Sequence, residues 1–551
     1  MASPLKWENG RWGTMTHTSI FDRFRQTVER WSDRPFLNVL PATAQIYGIP
    51  VGEITYGEMM RRIQDRRSEL AAAGFGQGTR AGLLLHNRPD FIEIWFAANS
   101  LGASVVPINP DLRRGELEYL IDHSEMSAAF VVPERLAEVA EAARAVRSVL
   151  VPTTQDAPVR PLLKRGGPIS NDAAHREAAL LYTSGTTGSP KGCVLTNEYF
   201  LHSGDWYRDV GGLLSLREGE ERMLTPLPVF HMNAMAVSVM AMVTVGGCLT
   251  VLDRFHPSTW WNSVRESRAT CLHALGVMPA MLLKAETSQR DRQHSVRFAF
   301  GPGVPSELHA RFEERFGMPL VEAWAMTETG SGGVISAHRD PRKIGTSCFG
   351  RPTDDVEIRI VDEAGDDING EAPGELLVRR AGANPRYGFF REYLKNPAAT
   401  AEAWDGGWFH TGDIVSRDAD GDLHFVDRKR NVIRRSGENI AAVEVESILA
   451  KHPAIRQVAV AATPDPLRGD EVAALVVADN DQAEPDMAAE IARWALDEMA
   501  YYKVPGWIGF VDALPRTPTE KILRAALKDL VAARIDAGAM HDTRAFKKRS
   551  A

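Results

Sequence analysis

The sequence predicts an α/β protein. It would have a large N-terminal domain of mixed, mostly parallel sheets with flanking helices plus a small β region, joined by a hinge to a small α+β C-terminal domain. Three observations support this. The 551 residues are too many for one ordinary compact core. Helical and strand patterns alternate in the first part of the chain, which favours parallel sheets covered by helices. From Val356 the strands become shorter, and a charged run at 427–431 marks the boundary to the last unit.

Local signals place the N-terminal elements. Thr55 to Glu58 has the form of a capping box, which predicts a helix that begins here and runs toward Ala73, where Gly74 ends it. Gly-rich turns between the strands and helices of such an architecture are where ligands usually bind. The apolar pattern further predicts a helix at 91–101 and strands at 80–85, 104–108 and 178–181.

The C-terminal part shows a different pattern of predicted helices and strands. Asp486, just after Pro485, is a good N-cap for a helix at 486–499. Strands are predicted at 356–361, 375–379, 423–426 and 457–462, with a further helix at 444–451. We therefore divide the chain into an N-terminal domain at 1–429, a small domain at 430–530 and a mobile tail at 531–551.

Composition and charge exclude several classes of protein. Hydrophobic residues make up 44% of the chain and charged residues 25%, as in ordinary globular proteins. The net charge of -8 gives no reason to expect nucleic acid as a partner. The four cysteines lack the spacing of a metal site or a CxxC pair, so we expect buried thiols in a reducing compartment.

We expect neither a signal peptide nor a membrane span. The first dozen residues carry charges and lack an apolar core. Residues 232–252 lack charges for about 20 positions, the length of a membrane helix. Because Asn233, Gly246 and Gly247 interrupt this stretch, we predict a buried helix followed by a buried strand. The expected location is the cytoplasm.

The strongest local motif runs from Tyr182 to Gly192 and follows an apolar strand. It combines glycines, whose backbone N–H groups can approach an anion closely, with Ser and Thr hydroxyls and one lysine, Lys191. This combination predicts a phosphate cradle. It is not a Walker loop, because the lysine spacing differs and no Ser or Thr follows Lys191.

With this loop, the chain resembles the adenylate-forming superfamily of acyl-CoA synthetases, peptide-synthetase adenylation domains and luciferases. The resemblance extends from Thr55 to Arg524, and it looks closest to acyl-CoA ligases of the crotonobetaine/carnitine type. It implies an ATP-dependent acid–thiol ligase that forms acyl-CoA through an acyl-AMP intermediate and releases pyrophosphate. The implied cofactor is Mg²⁺ and the co-substrates are ATP and CoA. Further matching segments lie at 226–233, 300–305, 322–328, 407–413, 427–430, 436–440 and 514–524.

The resemblance also implies roles for single residues. Lys521 would be the catalytic lysine of adenylation, and His231 would border the acyl pocket near the carboxylate. Thr327 would bind phosphate and Glu328 would hold Mg²⁺, a hard cation that prefers oxygen ligands. The implied nucleotide-binding residues are Thr183, Ser184, Gly185, Thr186, Thr187, Gly188, Lys191, Gly301, Pro302, Gly303, Glu322, Ala323, Trp324, Asp413 (on the ribose) and Arg428.

A rotation of the small domain is part of the implied cycle. Lys521 would act in the first half-reaction and then withdraw. Rotation about Arg430 would bring Gly437 to the site, where it would line the tunnel for the pantetheine arm of CoA.

The chain departs from the family pattern at three positions. Trp324 stands where tyrosine is usual and Ala325 where glycine is usual. Glu520 replaces the glycine beside Lys521. The methyl group of Ala325 would narrow or reshape the acyl channel.

The acid itself stays open between a betaine, a short or medium fatty acid, and an aryl or alicyclic acid. Trp206 and Tyr207 are either aromatic contacts for a quaternary ammonium group or core residues. Two other functions stay open: loading of a carrier protein by a stand-alone adenylation enzyme, and a non-catalytic nucleotide-binding relative. The expected partners are small molecules, a carboxylic acid with ATP and CoA, and self-association as a homodimer is left open.

Overall fold

The computed structural model describes residues 19–147, 151–154, 170–183, 190–275, 277–304, 306–428, 432–478, 485–515 and 524–547. Several predictions lie outside these ranges: those for Ser184, Gly185, Thr186, Thr187, Gly188, Arg430, Glu520 and Lys521. For Arg428 only the backbone is described.

The first sheet, sheet I, is mostly parallel, with an antiparallel strand at each edge. Its inner strands are short and buried, which is typical of parallel strands covered by helices on both faces. In spatial order its strands are Ile335–Ser336, Leu320–Trp324, Phe298–Gly301, Cys271–His273, Arg222–Thr225, Cys248–Val251, Pro35–Val39 and Gly52–Thr55.

Sheet II is also mostly parallel and contains the strand that leads into the predicted phosphate cradle. That strand, Glu177–Thr183, agrees with the prediction at 178–181. In spatial order the strands are Glu392–Tyr393, Lys191–Thr196, Glu177–Thr183, Ser104–Pro107, Arg80–Leu84, Ala128–Val131 and Val151–Thr154.

A buried ion pair stabilises the centre of sheet II. Arg80 lies on a fully buried strand, and its guanidinium donates two hydrogen bonds of 2.7 Å to Glu177. Ser104 and the carbonyl of Ser124 satisfy further groups of the pair. Such a pair is tolerated inside a protein only when its remaining donors and acceptors are bonded, which is the case here.

Two smaller sheets complete the fold. Sheet III is antiparallel and forms the predicted small β region. Its strands in spatial order are Cys348–Gly350, Leu423–Arg428, Phe409–Arg417, Gly374–Arg380 and Val356–Val361. Sheet IV belongs to the C-terminal part, and its strands are Glu438–Ala441, Val432–Arg435, Gly469–Ala478, Ile455–Asp465, Trp507–Phe510 and His541–Asp542.

Helices cover both faces of the parallel sheets and both faces of sheet IV. They are Ile20–Trp31, Pro41–Tyr47, Tyr56–Ala72, Pro89–Ser100, Arg114–Ser124, Leu136–Ala145, Asn197–Asp209, Met240–Val245, Trp260–Glu266, Val277–Lys284, Ser306–Phe316, Pro397–Ala403, Ala442–Leu449, Pro485–Glu498 and Arg524–Asp536. Single helical turns are Pro133–Arg135, Gly212–Leu214, Asp405–Gly407 and Arg544–Phe546, and Asn233–Val239 is a π-helix. The predicted α/β class with a large N-terminal domain and a small C-terminal domain is confirmed.

The predicted capping box at Thr55 forms only in part. The Thr55 hydroxyl accepts a hydrogen bond of 3.1 Å from the Glu58 N–H, as a helix N-cap should. The Glu58 carboxylate does not return this bond. It pairs instead with Arg62 one turn later, at 2.6 Å, because residues four apart share one helix face.

The stretch at 232–252 is a buried helical segment followed by a strand, as predicted. Its first part, Asn233–Val239, is a π-helix rather than an α-helix, a form that often occurs at functional sites. The strand Cys248–Val251 then enters sheet I. Over the described residues, no helix is both long and apolar enough to cross a membrane.

Residues 531–547 are packed against the rest of the chain, whereas the sequence predicts a mobile tail at 531–551. The helix Arg524–Asp536 packs on sheet IV, and the strand His541–Asp542 pairs with Trp507–Phe510. The reason is burial: Val531 and Met540 join the core, and the ammonium group of Lys547 contacts the buried carboxylate of Glu471. The domain boundary at residue 430 stays a prediction.

All four cysteines, Cys193, Cys248, Cys271 and Cys348, are buried and unpaired, as expected. Burial raises the pKa of each thiol, so the side chains act as small apolar groups in the core.

Candidate active site

A cavity of about 850 Å³ lies where sheets I, II and III meet, and the C-terminal domain closes one side of it. The strand ends after Trp324 and before Lys191 form part of its wall, which is the usual place for ligands in open α/β sheets. The predicted residues that line it are Thr183, Lys191, His231, Pro302, Gly303, Glu322, Ala323, Trp324, Thr327, Glu328, Asp413 and Gly437.

Gly301 does not line the cavity. It ends a strand of sheet I, and a Cβ atom at this position would lie 1.9 Å from the carbonyl oxygen of Ala274 on the neighbouring segment. The glycine is therefore required by close approach of two backbones rather than by contact with a nucleotide.

Glu328 is a buried carboxylate that faces the cavity, with 6% of its surface exposed. It accepts a hydrogen bond of 2.9 Å from the Tyr393 hydroxyl and one of 3.3 Å from Thr183, at the start of the phosphate-cradle motif. Lys191, at the end of that motif, lies 4.8 Å from the centre of the Tyr393 ring. The carboxylate thus connects both ends of the motif.

This arrangement fits a magnesium ion that is shared with phosphate. The described residues contain no cluster of three or more His, Cys, Asp or Glu side chains that could enclose a metal ion. Mg²⁺ commonly takes one or two carboxylates and completes its shell with water and substrate phosphate oxygens. Glu328 offers one such carboxylate, next to the predicted phosphate cradle.

Trp324 and Asp413 form a buried hydrogen-bonded pair. The indole Nε1–H of Trp324 donates to Oδ2 of Asp413 at 2.8 Å, and both side chains are at most 5% exposed. The backbone N–H of Asp413 is held by the Thr411 hydroxyl at 3.1 Å. The tryptophan that departs from the family pattern therefore fixes the orientation of the aspartate expected to bind ribose.

Glu322 presents an unsatisfied oxygen near the nucleotide end. Its Oε1 lies 3.2 Å from Nδ1 of His309 but has no well-oriented hydrogen-bond partner in the described part of the chain. Burial lowers the pKa of His309, but the carboxylates of Glu313 and Glu322 outweigh this effect and raise it to about 9. The histidine is therefore positively charged at neutral pH and forms a buried ion pair with this oxygen of Glu322.

His231 meets the C-terminal domain across the cavity. Its Nε2 lies 3.1 Å from Oε1 of Glu438, next to Gly437 in the loop predicted to line the pantetheine tunnel. Burial opposes the charged form of His231, but the Glu438 carboxylate outweighs it and raises the pKa of the imidazole. Gly437 has φ of +92° and lies against Leu275, so a larger residue would be strained there.

The domain interface contains polar residues that the sequence did not single out. Lys503, 6% exposed, donates to Glu116 of the N-terminal domain at 2.5 Å and to Glu444 of its own domain at 2.7 Å. The amide of Asn109 donates to the Tyr502 hydroxyl at 3.0 Å. A local pattern could not have revealed the contacts between the domains, because Lys503 and Glu116 are 387 positions apart and Asn109 and Tyr502 are 393 apart.

At the end of the cavity beside the π-helix, Trp206 and Tyr207 lie in different surroundings. Tyr207 is fully buried in the core, whereas Trp206 lines the cavity with Phe300, and the centres of the two rings lie 6.1 Å apart. Asn233 and Val237 of the π-helix also line this end.

Comparisons with known proteins agree with this site. Residues 24–388 match the family described as AMP-binding enzyme, and residues 444–521 match its C-terminal domain. A crotonobetaine/carnitine–CoA ligase from Shigella flexneri is 31% identical over 497 residues, which cover 87% of this chain and 93% of the relative.

Solved structures show the same fold. A double mutant of o-succinylbenzoate–CoA synthetase from Bacillus subtilis, bound to a CoA product analogue, has a TM-score of 0.78 and 25% identity, covering 92% of this chain and 98% of the other. The structure of that synthetase in complex with AMP covers the same shares at 24% identity, with a TM-score of 0.62.

The fold and the cavity define an adenylate-forming enzyme with two domains. The chain belongs to the AMP-binding enzyme family.

Proposed function

We propose that this protein is an AMP-forming acid–CoA ligase, which activates a carboxylic acid with ATP and transfers the acyl group from acyl-AMP to CoA. One observation carries the proposal. A single cavity joins the buried carboxylates Asp413 and Glu328 of the N-terminal domain to the Gly437 loop of the C-terminal domain. A ligase needs both parts, because the nucleotide and the thiol must reach the same carbonyl carbon.

In the first half-reaction, this chain would bind and orient ATP. Asp413, held by Trp324, would accept hydrogen bonds from the ribose hydroxyls. Glu328 would hold Mg²⁺, which neutralises phosphate charge when bound. Lys521 stays the proposed catalytic lysine. Positioning and charge neutralisation supply most of the catalysis in such a reaction.

In the second half-reaction, the C-terminal domain would guide the thiol. The described orientation, with Gly437 and Glu438 at the cavity, fits this step. The solved structures support this assignment. Of the two synthetase structures, the one bound to the CoA product analogue has the higher TM-score, 0.78 against 0.62.

The test is a panel of carboxylic acids incubated with ATP and Mg²⁺, with and without CoA, in which pyrophosphate and acyl-CoA are both measured. We expect acid-dependent pyrophosphate release and stoichiometric loss of free thiol. Asp413→Asn and Glu328→Gln should each lower both signals at least tenfold, in line with the loss of about 1.4 kcal/mol or more of transition-state stabilisation. The exposed control Glu363→Gln should not. Pyrophosphate release without loss of thiol would instead favour transfer to a carrier protein.

A further inference from the structure

A chain of hydrogen bonds leads from the core to the acyl end of the cavity. Tyr207, on the helix Asn197–Asp209, has its hydroxyl 3.0 Å from Nε2 of His273. Nδ1 of the same imidazole lies 2.7 Å from the Ser238 hydroxyl and 3.1 Å from Oδ1 of Asn233. Asn233 begins the π-helix and lines the cavity, so this chain connects a fully buried tyrosine to a ligand-facing amide.

The protonation of this chain follows from burial. His273 is fully buried, and desolvation lowers its pKa to about 3, so the imidazole is neutral and carries one N–H. With Oδ1 of Asn233 turned toward the imidazole, this oxygen can only accept a hydrogen bond, so this orientation of the amide places the proton on Nδ1, where the Ser238 hydroxyl at 2.7 Å is a second acceptor. Nε2 then accepts from the Tyr207 hydroxyl. Every polar atom of the imidazole is satisfied in this state, which fixes the Asn233 amide.

Because Oδ1 is engaged with His273, the NH₂ group of Asn233 is the polar group left for the cavity. No described side chain or carbonyl accepts a hydrogen bond from it, and Asn233 is only partly exposed. The neighbouring wall is apolar and aromatic: Trp206, Val237 and Phe300. A fixed donor in apolar surroundings increases the affinity for a ligand that supplies an acceptor. A ligand without an acceptor binds more weakly, because it leaves the buried donor without a hydrogen bond.

Resting on the proposed ligase function, we infer that the acid has an uncharged apolar or aromatic body carrying an oxygen acceptor, such as a carbonyl or ether, that accepts a hydrogen bond from Asn233. A trimethylammonium acid would meet the ring faces of Trp206 and Phe300, which attract a cation. It would, however, offer no acceptor to Asn233 and would bring its positive charge to the positive end of the amide dipole.

The first test compares matched acids with the wild-type enzyme. Each pair has the same shape and differs in one group: oxo-acids with the oxygen at successive positions against the corresponding methylene acids, and 4-methoxybenzoate against 4-ethylbenzoate. We expect at least one pair to show a kcat/KM ratio of tenfold or more in favour of the oxygen. A ratio near one in every pair would overturn the inference, while acyl-CoA formation from the methylene acids would leave the proposed function intact.

The second test changes the donor. Asn233→Leu has nearly the same size and should bring the oxygen-to-methylene ratio of kcat/KM to about one. Tyr207→Phe keeps the ring in place but frees Nε2. It should lower the same ratio several-fold without affecting the KM for ATP, a pattern that mere loss of packing would not give. If both variants kept the wild-type ratio, Asn233 would not be the specificity residue.

A third comparison addresses the cationic acid directly. The probes are 4-(trimethylammonio)butanoate and its neutral isostere, 5,5-dimethylhexanoate. The wild type should favour the neutral acid, and Asn233→Asp should reverse the order by placing a carboxylate at the wall. Preference of the wild type for the cation would overturn the inference.

Discussion

The ammonium group of Lys503 lies 2.5 Å from a carboxylate oxygen of Glu116, and this buried contact joins the two domains. Glu116 also accepts hydrogen bonds from the backbone N–H of Ala500 and of Arg113, on opposite sides of the interface. Burial opposes the charge of Lys503, but the two carboxylates Glu116 and Glu444 outweigh it and raise the pKa of the lysine. Glu116 thus acts as a clamp specific to the described domain orientation.

Glu116→Gln should therefore impair acyl transfer to CoA more than adenylation. The variant keeps the shape of the side chain and leaves the pair of Lys503 and Glu444 inside the C-terminal domain. We expect the rate of thioester formation from added acyl-AMP to fall about tenfold, equivalent to roughly 1.4 kcal/mol. Exchange of pyrophosphate into ATP should change less than twofold. The control is Glu118→Gln on the same helix. If Glu116→Gln lost both half-reactions equally, Glu116 would not act as a clamp.

Trp324→Phe should weaken ATP binding by removing the N–H that orients Asp413. A hydrogen bond to a charged group contributes about 1.5 to 3 kcal/mol, so the KM for ATP should rise roughly tenfold or more. Trp404→Phe is the matched control, because the indole N–H of Trp404 is buried without an acceptor among the residues described. A similar KM change in both variants would mean that ring packing, not the hydrogen bond, is responsible.

The pair of His231 and Glu438 predicts a pH dependence of acyl transfer. Glu438 raises the pKa of His231, so the ion pair is fully present at low pH and is lost as the pH rises through that raised pKa. The rate of thioester formation should therefore contain a falling limb at a pH above the ordinary histidine pKa of about 6.5.

Glu438→Gln should move this limb to lower pH, because the imidazole loses the charge that favours its protonated form. The adenylation half-reaction, measured in the same buffers, serves as the control and should not shift. An unchanged profile in the variant would show that another group controls the pH dependence.

Lys547 predicts a pH dependence of stability. Burial lowers its pKa to about 7 in the folded protein, although Glu471 is in contact with it. Lysine in an unfolded chain has a pKa of about 10.4, so between these values the unfolded state binds more protons. The free energy of unfolding should then rise with pH from about 7 to about 10.

Lys547→Met should remove this rise, as measured by urea unfolding of the full chain at several pH values. The exposed Lys451→Met is the control and should keep it. If the slope survived in Lys547→Met, the packed position of the C-terminal residues would be in doubt.

The sequence was informative where short segments determine their own structure. The strand at 356–361 was predicted with its observed ends, and the helices after Thr55 and Pro485 within a residue or two, because caps and apolar periodicity are local. Asp413, Glu328 and Trp324 could be named because they lie in recognisable segments. Their mutual geometry, such as the bond from Trp324 to Asp413, could not be derived from separate motifs.

What the sequence missed depends on distant contacts. Lys503 would ordinarily be taken as exposed, and only its position between two domains reveals a buried role. The residues after 531 are charged enough to suggest a tail, yet a few apolar side chains and one lysine fix them on sheet IV. Asn233 lies within the matching segment at 226–233, but the sequence does not show which end of its amide faces the cavity. Its contact with His273 in the structure shows this.

The burial of all four cysteines has a consequence for an enzyme that handles a free thiol. Exchange with a disulfide requires an accessible thiolate. Cys193, the cysteine of the strand beside the cavity, is fully buried, and burial raises its pKa along with those of the other three. Oxidised CoA that enters the cavity therefore finds no sulfur to attack it. The protein can work in a partly oxidised pool of its own substrate without becoming covalently trapped by it.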